Sequence, residues 1–551
     1  MFTSDEVRAV PIFSVIPATD LERVANSAAD VRLAAGDWAV HEGDERAFYA
    51  VISGKIEVVK LFDGVARTLG WRVPGTVFGE VPLALGSPFP GGYRAAEPSR
   101  VLRLTAQQYY ATAAAAPEFA QKMGALARER IGGLQRISEE PPKPRVKIFG
   151  HRWESTCSDL RRFLARNQIT FDWVTPDASD LKTKWPGALP GDSECPVLRL
   201  AEGPELKQPK ARDLAGMLGL QTTAKLQSYD TVVVGGGPAG LAAAVYGASE
   251  GLRTLVVERE APGGQAGTSS RIENYLGFPS GVSGDELAGR ALQQAKRLGA
   301  EILVTRPVTR INATTREVFL DGDEVVRART LILATGVTWR RLAIEGLDKF
   351  IGKGVYYGAS RSEVSVTQGL EIHLIGAGNS AGQAAIYFAN HARKVTLVVR
   401  STSLEGSMSH YLLDQIRGKT NIAIELQAEV QTAHGDTHLT AIDIVDRASG
   451  RVRRHECGGL FIFIGADAET GWLPADIARD RRGYLLTGDD VVKAKRWSSD
   501  RDPYLLETSV PGVFACGDVR LSLVKRVASA VGEGSMAIAF VHRYLANDGQ
   551  A

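Results

Sequence analysis

A glycine-rich turn that occurs twice constrains this chain more than any other feature. Thr231 to Val234 reads as a buried strand, Gly235, Gly236, Gly237, Pro238, Ala239 and Gly240 follow, and the apolar run beyond reads as a helix. The pattern returns when the strand Glu371 to Ile375 runs into Gly376, Ala377, Gly378, Asn379, Ser380 and Ala381. In such a strand–turn–helix the first glycine permits the tight turn and the second lets the backbone approach a pyrophosphate. The third, which alanine can replace, lets the helix pack closely on the strand. The helix N-terminus adds amide donors and partial positive charge for phosphates. Both copies therefore read as dinucleotide sites.

The two copies differ at the end of the next strand. After the first, the strand Thr254 to Val257 ends at Glu258, 23 positions beyond Gly235, where a carboxylate takes ribose hydroxyls. After the second, the equivalent position is Val399, with Arg400 next to it. No carboxylate repels a 2′-phosphate there, and a guanidinium is present to bind one, in a contact worth about 1.5–3 kcal/mol. This favours NADP over NAD; the competing reading is a solvated arginine at a strand end. A third segment, Pro511 to Ala515, is a strand ending in Cys516, Gly517 and Asp518, with a helix starting near Arg526, Val527 and Ala528. Asp518 suits a flavin ribityl chain, and the helix start suits an isoalloxazine carbonyl. This segment returns to the first unit after the second is complete. The second unit is thus an insertion, entered near Ala334, Thr335 and Gly336 and left near Ile464 and Gly465.

Composition narrows the setting. At 551 residues the chain exceeds one core, and its length suggests three or four folding units. With 65 basic and 63 acidic side chains, net charge is +2, and no basic excess points to nucleic acid or an anionic membrane. Four cysteines cannot staple a chain of this size, which points to a reducing, cytoplasmic location. The acidic start, Phe2 to Glu6, is unlike a secretory signal, and the most apolar stretch, Thr231 to Ala248, is interrupted by glycines and Pro238, unlike a membrane span. No Cys/His cluster has metal-ligand spacing, so no metal is expected.

The fold class read from these patterns is α/β: two nested Rossmann-type domains preceded by a β-roll and a small α/β domain. Residues 1–140 show short strands separated by glycines, such as Phe48 to Ile52 and Lys55 to Lys60, then one Ala-rich helical stretch over about 106–137. A stiff charged linker, Glu139 to Pro144, comes next. Residues 145–222 alternate strands (Arg145 to Phe149, Thr170 to Val174, Pro196 to Leu200) with helices (Cys157 to Asn167, Ala211 to Leu218), in a unit small enough to lean on its neighbours. From Tyr229 onward the pattern is βαβ, twice over. The domain limits expected are 226–340 with 468–551 for FAD and 341–467 for NADPH.

Residues 229–548 resemble the low-molecular-weight thioredoxin reductases. Gly235 to Gly240 matches that family's FAD turn. Gly263, Gly264 and Gln265, then Ile272 to Tyr275 and Gly277 to Pro279, match its flavin loop. Gly376 to Ala381 matches its NADPH turn, and Cys516 to Asp518 its closing FAD motif. The resemblance implies FAD and NADPH as cofactors, contacts from Gly264, Gln265 and Asn274, a homodimer, and rotation of one domain against the other. One departure is large. The family's Cys-x-x-Cys falls here on Gly358 and Arg361, within Gly354 to Arg361, and of its paired arginines for the 2′-phosphate only Arg400 matches, the other falling on Ser401.

The N-terminal segment resembles a cyclic-nucleotide-binding domain. Phe78, Gly79 and Glu80 open its phosphate-binding cassette, but the position of the cassette's arginine falls on Phe89, with Arg94 five residues later. An apolar ring offers a phosphate no charge, which disfavours a cyclic nucleotide and favours a β-roll used for packing or dimer contacts. The middle segment resembles a thioredoxin or glutaredoxin, with Glu154 and Cys157 at the redox positions and Cys195 before a cis-proline position, Pro196. Two readings of Cys157 and Cys195 stand: a redox-active pair fed by the flavin, or two buried apolar fillers. Cys457, Cys516 and His373 read as structural.

The expected activity is hydride transfer from NADPH to FAD, then to an unidentified acceptor, either a disulfide or a small oxidant such as a quinone. Two alternatives are a flavin-based redox or nucleotide sensor signalling through its N-terminal domains, and a lookalike that binds FAD without hydride transfer.

Overall fold

The computed structural model describes residues 2–62, 65–139, 144–201, 203–269, 271–279, 281–344, 346–359, 361–522 and 524–548. The chain divides into two compact units, Met1–Pro144 and Arg145–Ala551.

The first unit is a β-roll of two four-stranded antiparallel sheets. One holds Ala29–Leu33, Ser99–Thr105, Ala47–Ser53 and Val77–Phe78; the other holds Trp38–Val40, Gly92–Ala95, Ile56–Phe62 and Val65–Arg72. Strand Ala47–Ser53 is buried on both faces because successive side chains point to opposite sides. Phe48 and Ala50 pack with Phe13, Leu21 and Phe119 on the helical side, whereas Ala47, Tyr49 and Val51 fill the roll. The expected single helix over 106–137 is two, Ala106–Ala115 and Pro117–Glu139. Pro117 lacks the amide that would continue the first ladder and suits the first turn of the second. Of the expected linker, residues 140–143 lie outside the described residues.

The second unit begins with a small mixed sheet, ordered Phe171–Val174, Val146–Phe149, Val197–Leu200, Glu205–Lys207. The first two strands are parallel and the others antiparallel. Helices Ser155–Arg166 and Ala211–Met217 cover it, burying Leu160, Leu164 and Leu214. Its core is shared: Val304, from the next domain, packs into it, and Arg212 Nη2 donates to Thr305 O at 2.7 Å and pairs with Asp321, which also accepts from Arg306 Nε at 3.1 Å.

Next comes a seven-stranded sheet whose parallel part runs Glu301–Leu303, Thr254–Val257, Ser228–Val234, Val325–Leu333, Val513–Ala515. Thr254–Val257, Val513–Ala515 and the C-terminal halves of the two central strands are buried on both faces, as covered parallel sheets are. Helices Pro238–Ser249 and Val527–Asp548 pack on it. The inserted domain has a parallel five-stranded sheet, Val355–Tyr357, Gly459–Ile462, Glu371–Ile375, Lys394–Val399, Ile422–Leu426. The chain enters it through Thr338–Trp339 and leaves through Ala466–Asp467, and these two connections pair antiparallel. Two antiparallel additions interrupt the βαβ pattern read from sequence. Val308–Asn312 and Glu317–Leu320 extend the first sheet, and Ala428–His434, Ala441–Asp446 and Val452–Glu456 form a separate sheet. Alternating half-buried and buried residues joined by short turns make such strands, without the long apolar runs of the Rossmann cores.

Candidate cofactor cleft

The first glycine turn opens on a cleft of about 850 Å³ within the second unit, and the second turn reaches it through Ser380. Its floor is the first turn. Gly235 has φ +108°, and a Cβ there would overlap the Ala334 carbonyl. A Cβ on Gly240 would overlap the Gly235 carbonyl oxygen and lie 3.0 Å from its carbon, so only hydrogen lets the helix lie this close. Gly237, Pro238 and Ala239 line the cleft at the N-terminus of helix Pro238–Ser249. Gly237 faces nothing nearer than Gly264 Cα at 3.9 Å, so its backbone is open to a phosphate.

The walls carry the expected polar groups. Glu258 is buried, accepting from Gly236 N at 2.7 Å and Glu260 N at 3.0 Å. Gly264, Gln265, Thr335 and Gly336 form one side. The Gln265 side-chain amide donates to Val337 O, and the buried Thr335 hydroxyl has no protein partner. On the other side stand Gly517, Asp518 and Val527. Burial pushes the Asp518 carboxyl up, against the lowering charge of Lys525. The open glycine backbone, the orphaned hydroxyl and the buried carboxylates fit FAD. Gly240, Asn274 and Ala528 do not border the cleft. Gly240 lies beneath its helix, Ala528 is one residue past the helix start, and Asn274 is exposed on the loop closed by the Ile272–Val282 bridge.

The inserted domain faces this site with Tyr356, Gly358, Ala359 and Ser380. Gly376, Gly378, Asn379 and Ala381 form the second turn behind Ser380, at the head of helix Asn379–Phe388, and Asn379 Oδ1 accepts from Ser409 N at 2.8 Å. Gly378 meets nothing within 4 Å. Val399 is buried, whereas the Arg400 side chain is 71% exposed and its Nε stands 3.9 Å from Glu429 Oε1, too loose to hold it from a phosphate. A Cβ on Gly358 would stand 3.5 Å from Thr268 Oγ1 and 3.6 Å from Trp339 Cζ2, so this position lies against the flavin loop. Ser360 lies outside the described residues.

Among the wall residues that sequence reasoning missed are Arg162 and Arg166, which reach the cleft from the last turns of helix Ser155–Arg166. Their place depends on domain packing and leaves no local signal.

The four cysteines are free thiols and buried. A Cβ on Gly150 would stand 3.0 Å from Cys157 Sγ and 3.4 Å from Pro196 Cβ, so those segments meet across Gly150; the Cys195–Pro196 peptide is cis. Burial pushes the thiols of Cys157 and Cys457 up to about 12 and that of Cys195 to about 11, and raises Cys516 too. At pH 8 a group of pKa 12 is thiolate in on the order of one molecule in ten thousand, and the thiolate is the nucleophile. Native protein is therefore expected to show no fast-reacting thiol toward an aromatic disulfide reagent, the same titre after mild oxidation, and four thiols on denaturation. A titre two lower after oxidation would restore the redox pair. His373 is 1% exposed in the inserted sheet, and burial holds it at about 3, neutral and structural. Among the described residues no cluster of metal-ligating side chains occurs, and no helix is long and apolar enough to cross a membrane.

Two dinucleotide turns in nested Rossmann domains, one lining the cleft and the other reaching it through Ser380, define a two-cofactor oxidoreductase. Residues 229–534, more than half of the chain, match the pyridine nucleotide-disulphide oxidoreductases, and the chain belongs to that family. It is a flavin-dependent NAD(P)H oxidoreductase, with FAD and NADPH as the cofactors. Residues 30–115 match the cyclic nucleotide-binding domain. The thioredoxin reductase of Treponema pallidum (strain Nichols) is 31% identical over 309 residues, 56% of this chain and 94% of its own. A subunit of the alkyl hydroperoxide reductase of Escherichia coli (strain K12) is 32% identical over 328 residues, 58% of this chain and 59% of its own. The crystal structure of T. acidophilum thioredoxin reductase matches with a TM-score of 0.51 at 29% identity, over 58% of this chain and 100% of its own.

Proposed function

We propose that this oxidoreductase passes electrons from NADPH through FAD to a small acceptor, such as a quinone, that meets the flavin in the cleft itself. The observation that carries the reading is Gly358. Where the related reductases resembled by this sequence place a thiol, this chain has a glycine against the flavin loop; of its four buried cysteines only Cys516 borders the cleft, and it is fully buried beneath the closing turn. FAD, when bound, supplies the two-electron chemistry. The chain's own residues position it. The Gly237 turn and the helix start take the diphosphate, Glu258 the ribose and Asp518 the ribityl chain, while the second turn docks NADPH with Arg400 at its 2′-phosphate. Each turnover moves two electrons and a proton from NADPH, and the quinone leaves as hydroquinone after taking a further proton from water. The enzyme works as a homodimer, as the resemblance implies.

The middle domain is read as thioredoxin-like in topology: two parallel strands flanked by an antiparallel pair, with helix Ser155–Arg166 crossing between the first two. It carries electrons in neither of its thiols. The β-roll is read as a packing or contact module. Glu80, 2% exposed, pairs with Arg130 at 2.8 Å, and Phe89 is stacked edge-on against Tyr49 and Tyr93 in the filled roll. A phosphate would displace a ring whose burial stabilises by about 2 kcal/mol.

The test is steady-state NADPH oxidation with a benzoquinone in the Cys157→Ala and Cys195→Ala variants. Turnover within about twofold of the parent protein is expected, since neither thiol lies on the route. A collapse of turnover in either variant, with the flavin still reducible by NADPH, would place a thiol relay in the middle domain instead.

A further inference from the structure

Helix Ser155–Arg166 ends at the cofactor cleft, and its last residue is tied to the flavin loop. Arg166 Nη1 donates to Glu260 Oε2 at 2.9 Å, and Nη2 donates to Ala261 O at 2.7 Å and to Gly264 O at 3.3 Å. The side chain is 12% exposed, and its Nε is buried with no acceptor. A buried N–H without a partner costs about 1–3 kcal/mol, so a partner is expected there.

The loop that Arg166 holds lies on the first glycine turn. Gly263 N donates to Gly236 O at 2.8 Å, and a Cβ on Gly264 would stand 3.0 Å from Gly237 Cα. Arg166 therefore stands beside the backbone that a pyrophosphate approaches, and it borders the same cleft. Glu260 balances one positive charge but leaves the Nε–H unmatched. A dianionic diphosphate supplies the missing acceptor.

We propose that Arg166 is a cofactor-binding residue, donating through Nε to the diphosphate of FAD, so that the middle domain completes a site the Rossmann fold leaves open on this side. The inference rests on the reading that this cleft holds FAD. It makes the domain before the reductase part of the cofactor site.

Flavin-free full-length protein is titrated with FAD and followed by quenching of flavin fluorescence. Arg166→Gln is expected to weaken binding roughly ten- to hundredfold, the loss of one charge-assisted hydrogen bond with its charge. Arg166→Lys keeps the charge without the fork; it is expected to fall between the two and serves if the glutamine variant does not fold. Arg212→Gln, which removes the contacts of the same domain to Thr305 and Asp321 from a residue that does not border the cleft, is expected to bind FAD as the parent does. Parent-like affinity in both Arg166 variants would overturn the proposal. So would an equal loss in Arg212→Gln, because docking and not the guanidinium would then be the cause. Failure of the parent protein itself to bind FAD would overturn the flavin reading instead.

Discussion

Gly240→Ala is expected to yield a protein without flavin. The added Cβ would overlap the Gly235 carbonyl oxygen, lie 3.0 Å from the Gly235 carbon and lie 3.3 Å from Val233 Cγ1. Two of these neighbours are backbone in the tight turn and cannot rotate away. Helix Pro238–Ser249 has to lift from the strand, which costs more than about 3 kcal/mol. Its N-terminal amides move with it, and they are the diphosphate donors. The flavin-to-protein ratio of the purified variant, read beside its melting temperature, checks this. A variant with stoichiometric flavin and a parent-like melting temperature would contradict the close helix–strand contact.

Gly378→Val has the opposite profile. Nothing lies within 4 Å of a Cβ there, and its backbone, φ −89° and ψ 176°, is extended and open to any residue. The fold and the FAD site are expected to survive, leaving a yellow protein. The valine methyl groups occupy the space in which the second turn brings its backbone to a pyrophosphate. Losing two charge-assisted bonds of about 1.5 kcal/mol each weakens NADPH roughly hundredfold. Flavin content and the NADPH concentration giving half-maximal reduction rate separate the two effects. A variant reduced by NADPH as readily as the parent would move the nicotinamide site away from this turn.

The legible parts of the molecule are those fixed by local contacts. Gly235, Gly240 and Gly376 are dictated by backbone atoms that a Cβ would strike, so the glycine spacing carries the geometry with it. The insertion was legible because the closing strand Val513–Ala515 and its Cys516–Asp518 turn complete the first unit only after the second is finished. Strand Glu205–Lys207 was not, because three edge residues beside a loop make no periodic signal. Arg162 and Arg166 were invisible for a different reason. On a helix they read as a solvated face, and only the packing of that helix against the next domain brings them to the cleft. Phe89 shows the reverse: an apolar residue at a position expected to bind an anion marked a filled core in advance.

The central claim is that this cleft takes hydride from NADPH onto FAD. Anaerobic stopped-flow mixing of the oxidised, flavin-loaded protein with NADPH or NADH, monitored by flavin absorbance, tests it most directly. Rapid bleaching with NADPH and slower bleaching with NADH is the predicted result, with the gap narrowed by Arg400→Ala. No bleaching with either nucleotide would contradict the claim.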